Sequence, residues 1–347
     1  MYPAKAYAVQ EAKGELKPWN FERRTLRDDD ILIEILYCGV CHSDIHQAKG
    51  EWGKSIYPMV PGHEIVGKIT EVGNQVKHFK VGDLAGVGCM VDACLECESC
   101  KKGYEQFCTS GAVFTYNALE RDGTTPTYGG YSNKIVVKEA FALHISDKLP
   151  LEGVAPLLCA GITTFSPIKK YKIGKGHKVA VLGLGGLGHM AVKLAAAHGA
   201  EVTVLSTSPN KEADAKRLGA THFCNTKDEE QAKKLYSTFD FILDTVSVPH
   251  NYDLYLRMLK MYGTLVLIGI PDKPIQFSAF SLLTNGRSVA ASSIGGIQET
   301  QEMLDFCAAN NIVSDVEVIP ISYINEAYQR VIKSDVKYRF VIDMSTI

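Results

Sequence analysis

The sequence predicts an α/β protein of two domains, a β-rich domain of short strands and a doubly wound parallel sheet. Three observations predict it. KVAVLGLGGLGHMAVKLAAAHGAEVTVLST (178–207) runs as strand, glycine turn, amphipathic helix and strand. Strands and helices go on alternating to about residue 293, the pattern of a parallel sheet with helices on both faces. The first 150 residues instead read as short β-branched or alternating runs divided by Gly, Pro and Asp turns.

Taken in order, the first domain predicts strands at 31–40 (ILIEILYCGV), 65–73 (IVGKITEVG) and 131–139 (YSNKIVVKE), with KVGD (80–83) as a turn. The second predicts strands at 179–182, 201–205, 239–244, 264–268 and 289–293, and a helix at 187–198. After Gly296 a helix at 299–309 leads to VEVIPI and a closing strand, YRFVIDM (338–344). A terminal strand needs a partner sheet, so this tail is expected to return to the first domain. The expected division is therefore 1–150 with 297–347, and 151–296.

Composition narrows the function. Of 347 residues, 46% are hydrophobic and 22% charged, an ordinary globular balance. A formal net charge of −2 without a basic stripe argues against a nucleic-acid partner. Apolar stretches such as 179–187 are glycine-broken and shorter than the ~20 residues of a membrane helix, so no membrane partner is expected. The opening MYPAKAYAVQ has no secretory pattern, and a cytoplasmic protein is expected. Seven of the ten cysteines fall between Cys38 and Cys108. In a chain of this kind, metal binding explains them better than disulfides.

Gly183-Leu-Gly185-Gly186-Leu187-Gly188 fits G-x-G-x-x-G in the context that motif requires, after a strand and opening a helix. The backbone and helix N-terminus there suit a dinucleotide pyrophosphate. An NAD site would carry Asp or Glu about 20 residues on, to hold the ribose 2′-OH. This chain instead has Ser206, Thr207 and Ser208, then Lys211. A carboxylate repels a 2′-phosphate, whereas hydroxyls and a lysine accept one, so NADP(H) is expected. The same hydroxyls also suit a helix cap, a role compatible with the first.

Cys94, Cys97, Cys100 and Cys108 place four thiolates within fifteen residues. Four soft ligands on a short lobe suit tetrahedral Zn²⁺ in a closed, structural site. An iron–sulfur cluster of the bacterial ferredoxin type would have three residues before its last cysteine and proline after it. Here the gap is seven and Thr109 follows. Other chemistry-bearing residues are scattered: Cys41-His-Ser43-Asp44-Ile-His46, Gly62-His63-Glu64, and Cys159 in LLCAG. Each is ambiguous alone, since a cysteine among leucines is usually a small core residue.

Together, CHSDIH, YPMVPGHEIVG, the four-cysteine lobe, GGYSN, LLCAGIT, GLGGLGHMAVK and SSIGG resemble the zinc-dependent medium-chain alcohol dehydrogenases along the whole chain, in their cinnamyl-alcohol-dehydrogenase-like branch. The resemblance implies a GroES-like catalytic domain, a Rossmann domain and assembly as a dimer or tetramer, a homodimer being expected. It implies a catalytic Zn²⁺ on Cys41, His63 and Cys159, with Glu64 as a transient ligand, and a structural Zn²⁺ on the lobe, two per chain. Such a metal polarises a substrate oxygen while the nicotinamide exchanges hydride. It further implies Ser43 and His46 as a proton relay, Asp44 as the orienter of His63, and Thr163 and Ile294 at the nicotinamide. Bland readings stand beside these: His46 as a surface histidine, Asp44 as a turn residue, Thr163 as part of a linking helix. His42, His78, His144 and His189 are taken as structural, and Cys38, Cys89, Cys224 and Cys307 as ordinary thiols.

Trp52, Met90, Phe114 and Ile294 match the family's substrate pocket, which points to aromatic or medium aliphatic alcohols and aldehydes. The lignin enzymes usually carry tryptophan where Phe114 stands and an apolar pair where Trp52 and Lys54 stand, so a broad range is expected, worked mainly as aldehyde reduction. Two other functions compete: a zinc-free NADPH quinone reductase of the same superfamily, and a zinc-stabilised nucleotide-binding protein without turnover. Neither has a use for Cys41, His63 and Cys159 together.

Overall fold

Two compact units, Met1–Ile162 with Gly295–Ile347 and Thr163–Ile294, make up the computed structural model, which describes residues 1–347. In the second unit six parallel strands lie in the order His222–Asn225, Glu201–Ser206, Lys178–Leu182, Phe239–Asp244, Leu259–Leu267, Ser288–Ala291. Val179, Ala180 and Val181 are wholly buried, as a central strand covered on both faces requires. The strand order reverses between Lys178–Leu182 and Phe239–Asp244, where open sheets of this kind leave a crevice at the strand ends.

The glycine turn sits at that point. Gly183 adopts φ +87°, which glycine tolerates without a Cβ clash. A Cβ on Gly188 would lie 2.2 Å from the Gly183 carbonyl oxygen, so the helix Gly188–Ala197 can start directly on the turn only with glycine there. Gly188→Ala is expected to cost about 1–3 kcal/mol of stability, the usual penalty for forcing extra volume against fixed atoms. Urea unfolding checks this; an unchanged midpoint would show that the turn yields freely.

One strand and one strand boundary depart from the sequence pattern. His222–Asn225 has only Phe223 and Cys224 as apolar residues, too few to signal a strand, and it forms as the edge beside Glu201–Ser206. The strand expected at 264–268 begins at Leu259, which pairs with Phe239 across a register shift. Exposed Met261 and Tyr262, the latter at φ +59°, obscure the alternation there.

In the first unit the strand Asp30–Gly39 is the hub. It pairs antiparallel with Ile65–Val72, Lys134–Lys138 and the closing strand Arg339–Asp343. Arg339–Asp343 in turn pairs parallel with Val316–Pro320, so the tail returns to this unit.

The boundary lies later than the expected 150/151 and slightly earlier than 296/297. Leu151–Val154 and Ala155–Leu158 pack on the first unit. A Cβ on Gly88 would sit 3.0 Å from the Leu158 carbonyl oxygen, and one on Gly86 3.1 Å from Leu158 Cδ1. Gly295 abuts Ile162, and Gly296 abuts the Gly103 carbonyl. The helix Ala160–Lys170 runs across the boundary, and no single helix is long and apolar enough to cross a membrane.

Candidate active site

Helix His42–Lys49 begins on Cys41, and Asp44 at its third position accepts the Cys41 backbone N–H (2.8 Å) in a capping box. Gly50 ends the helix in the left-handed conformation. Asp44 is fully buried and does more than cap. It also accepts the Gly62 N–H (3.1 Å) and the Tyr131 hydroxyl (3.2 Å), and its Oδ1 lies 3.0 Å from His63 Nδ1. One carboxylate thus ties the Cys41 turn to the His63 loop. Burial works against a proton on the His63 ring, but Asp44 overrides it and lifts its proton affinity well above the ordinary range. With Nδ1 engaged by Asp44, Nε2 is the ring nitrogen left to ligate a metal, which requires it to be free of a proton.

The GGYSN stretch acquires a physical role here. Cβ atoms on Gly129 and Gly130 would lie 2.3 Å from the Gly62 oxygen and 2.4 Å from Ile65, so only glycine lets this loop press against the His63 turn. Arg23, buried beneath it, donates to the Tyr128 and Gly129 carbonyls and to Ser132 Oγ.

Cys159 follows the turn Ala155–Leu158 and brings its sulfur 3.9 Å from that of Cys41. Two sulfurs each about 2.3 Å from a tetrahedral Zn²⁺ lie about 3.8 Å apart. Donor atoms of Cys41, His63, Glu64 and Cys159 all fall within 4.8 Å of one another, and all four residues are buried. The Cys159 contact, with Arg339 and His63 nearby, holds the Cys41 thiol well below the usual cysteine range despite burial. Glu64 Oε1 pairs with the buried Arg339 guanidinium, while its Oε2 is buried without a hydrogen-bond partner. Burial pushes the Glu64 carboxyl up to about 8, against the pull of Arg339. An unpaired buried carboxylate oxygen beside two thiols and an imidazole is a donor set that fits a cation.

Cys94, Cys97, Cys100 and Cys108 likewise converge within 4.8 Å. The Cys97 and Cys94 N–H groups donate to the sulfurs of Cys94 and Cys108, both at 3.4 Å. Backbone groups of Cys100 and Thr109 bring the Cys97 thiol down to about 5. Four converging sulfurs on so short a segment fit a closed tetrahedral Zn²⁺. From the same lobe Glu105 Oε2 accepts the Ile297 N–H (3.0 Å) at the start of the helix Ile297–Asn310.

In the second unit a Cβ on Gly185 would meet nothing within 4 Å, leaving an exposed backbone open to a phosphate. Gly186 and Leu187 complete the turn ahead of Gly188. Ser206 is buried, and its Oγ accepts the Ser208 N–H (3.1 Å). Thr207 is exposed, Ser208 half-buried, and Lys211 Nζ donates to the Leu184 carbonyl (2.9 Å). Thr163 Oγ1 is buried without a hydrogen-bond partner, and Ile294 takes φ +38°.

Ser43 Oγ lies 3.6 Å from the Cys41 sulfur. His46 Nδ1 is 2.5 Å from Glu51 Oε2, and its ring stacks on Trp52 at 4.8 Å. Met90 is buried and pairs with half-exposed Phe114 across a two-stranded ribbon. Sequence reasoning missed Arg339, Tyr131 and Glu51, which partner site residues distant in sequence or outside any motif. Cys89, read as an ordinary thiol, sets its sulfur 3.9 Å from the Leu158 carbonyl oxygen.

Comparisons with known proteins place the chain in a family. The alcohol dehydrogenase GroES-like domain model matches residues 27–147, and the zinc-binding dehydrogenase model matches 186–309. NADP-dependent alcohol dehydrogenase C 1 of Mycolicibacterium smegmatis is 54% identical, over 100% of this chain and 99% of its own length. The chain belongs to the zinc-dependent alcohol dehydrogenase family. A cinnamyl alcohol dehydrogenase from Sorghum bicolor superposes with a TM-score of 0.96 at 44% identity, covering 99% of this chain and 98% of that one. The CAD of Helicobacter pylori, solved with NADP(H), gives 0.93 at 46% identity and 99% coverage of both chains. As a member of this family, the chain has a GroES-like domain and a Rossmann domain, and the zinc-free and non-catalytic alternatives are not favoured.

Proposed function

We propose that the protein is a zinc-dependent NADP(H) alcohol dehydrogenase working mainly as a reductase of aromatic and medium aliphatic aldehydes. The observation that carries this reading is the convergence of Cys41, His63 and Cys159 on one buried point beside Glu64. These side chains would hold the catalytic Zn²⁺, and the four-cysteine lobe the structural one. When bound, the metal supplies Lewis acidity to the substrate oxygen, and the nicotinamide supplies or accepts hydride.

The remaining work belongs to the chain. Asp44 fixes the tautomer and orientation of His63. Arg339 holds one oxygen of Glu64 and so limits how far that carboxylate can move toward the cluster. The Ser43 hydroxyl, next to Cys41, passes the substrate hydroxyl's proton, and His46, steadied by Glu51 and Trp52, exchanges it with water. Trp52, Met90 and Phe114 provide apolar walls. Such walls discriminate by only about 1–3 kcal/mol per methylene, so a broad range follows.

The turn 183–188 would cradle the pyrophosphate, Thr207, Ser208 and Lys211 would face the 2′-phosphate, and Thr163 and Ile294 the nicotinamide. A carboxylate 4 Å from a phosphate costs about 1 kcal/mol per charge pair even in water. Thr207→Asp is therefore expected to lower the NADPH-over-NADH ratio of kcat/KM by about tenfold or more. An unchanged ratio would place the 2′-phosphate elsewhere. A cytoplasmic homodimer completes the proposal. The strand Ser288–Ala291 leaves one sheet edge unpaired, and light scattering should return about twice the 38.0 kDa chain mass. The function itself is tested with a panel of aldehydes and NADPH, with and without a zinc chelator. Chelator-sensitive NADPH oxidation supports it; chelator-insensitive turnover overturns it.

A further inference from the structure

Two half-exposed aromatic rings of the first unit, Phe114 (50%) and Trp52 (44%), stand on separate segments, each tied to an active-site histidine. Two residues past Phe114, the buried Tyr116 ring stacks on His63 at 5.8 Å, while Trp52 stacks on His46. The two segments are anchored differently. Thr115 donates its N–H to the Cys89 carbonyl (3.1 Å) and its hydroxyl to the Gly88 carbonyl, and Ala118 exchanges hydrogen bonds with Thr127. Phe114 therefore stands on a fixed post. Glu51, Trp52, Gly53 and Lys54 form an exposed tip, and their loop is bonded chiefly to its own helix: the Glu51 N–H donates to the His46 carbonyl (2.9 Å), Ser55 Oγ to the Gln47 carbonyl (3.1 Å) and the Tyr57 hydroxyl to the Ala48 carbonyl (3.0 Å). One side chain crosses from the post to the loop. Asn117 Oδ1 accepts the Ile56 N–H (2.7 Å), and its Nδ2 donates to Gln47 Oε1. Opposite ends of one amide thus hold the loop and the helix that precedes it. Asn117 has φ +55°, a left-handed conformation that asparagine adopts more readily than most residues. Nothing in the proposed reaction uses this residue.

We infer that Asn117 is a positioning residue that presets the gap between Trp52 and Phe114, and so the preference for aromatic over small aldehydes, a role that rests on the pocket reading proposed above. A ring entering a preset gap gains its contacts with both walls without having to order either of them. With the amide gone, the Trp52 loop keeps its bonds to its own helix but loses its tie to the Phe114 segment. An aromatic substrate must then order that loop as it binds, and the entropy cost is charged to its affinity. Acetaldehyde has no ring to place between the walls, so its rate is kept.

Asn117→Gly deletes the amide and keeps the left-handed backbone. With NADPH, its benzaldehyde-over-acetaldehyde ratio of kcat/KM is expected to fall about tenfold, equivalent to about 1.4 kcal/mol. The loss should appear in KM for benzaldehyde with kcat kept, the mark of lost binding that does not change between ground and transition states. In a Trp19→Phe background, which leaves Trp52 as the one indole, acrylamide should quench the Gly variant more readily than its parent. Asn117→Asp still accepts the Ile56 N–H and can accept from the Gln47 amide, so it should hold the ratio within about threefold of wild type. Gln47→Leu frees the other end of the amide and should lower the ratio about threefold, which decides the matter if Asn117→Gly folds poorly. Ratios at the wild-type value in both variants, a fall shared equally by the two aldehydes, or an Asp variant as impaired as the Gly variant overturns the inference alone. A wild type that reduces no aldehyde overturns the proposed function and the inference with it.

Discussion

Cys159→Ser is expected to lower kcat/KM for aldehyde reduction by about 10³-fold while leaving the fold in place. A Lewis-acidic metal contributes several kcal/mol to transition-state stabilisation, and about 4 kcal/mol corresponds to that factor. Cys159 is small, 7% exposed and placed at a junction between two helical segments, so serine fits its space. What changes is the donor. A neutral hydroxyl replaces a thiolate 3.9 Å from the Cys41 sulfur, and a soft ligand is lost from a set of four. The metal content should fall from about two zinc ions per chain to about one, because the lobe of Cys94, Cys97, Cys100 and Cys108 is untouched. NADPH binding, measured by fluorescence, should persist, since the glycine turn lies in the other unit. Retained turnover in this variant would remove Cys159 from the reaction.

Arg339→Met is expected to be the most destabilising single change at the site, by about 3–5 kcal/mol, the cost of leaving one partner of a buried ion pair alone. Glu64 has no exposure, its Oε1 has Arg339, and its Oε2 has no hydrogen-bond partner. Removing the guanidinium also removes the main influence opposing burial, which already pushes the Glu64 carboxyl up to about 8. The carboxyl would then be held protonated or drawn to the cation. Adding Glu64→Gln should recover at least about 1 kcal/mol, because the two residues are directly coupled. Urea unfolding with Cys159→Ser as a control checks this. A loss below about 0.5 kcal/mol, the range of ordinary surface changes, would show that the pair is not the buried interaction described.

How far the sequence could be read follows from how far apart the cooperating residues lie along it. The glycine turn and the four-cysteine lobe are local: each occupies a short segment, and spacing alone groups their residues. The doubly wound sheet was legible because its central strands are continuous apolar runs. Cys41, His63 and Cys159 carry no mutual spacing signal, and only the family resemblance joined them. Arg339 lies 275 residues from Glu64, and Tyr131 lies 87 from Asp44, so nothing in a local window points to either contact. Residues 151–162 misled for a related reason. Their apolar, helical texture resembles the following domain, yet Leu158 seats on Gly86 and Gly88 of the first. Packing, not texture, set that boundary.

The central claim is that three distant side chains hold one functional metal. Anomalous diffraction at the zinc edge, from crystals of zinc-loaded protein, tests it most directly. One peak is expected among Cys94, Cys97, Cys100 and Cys108 and another bounded by the Cys41 and Cys159 sulfurs and His63 Nε2. A peak at the lobe alone, in protein that reduces aldehydes at its full rate, would contradict it.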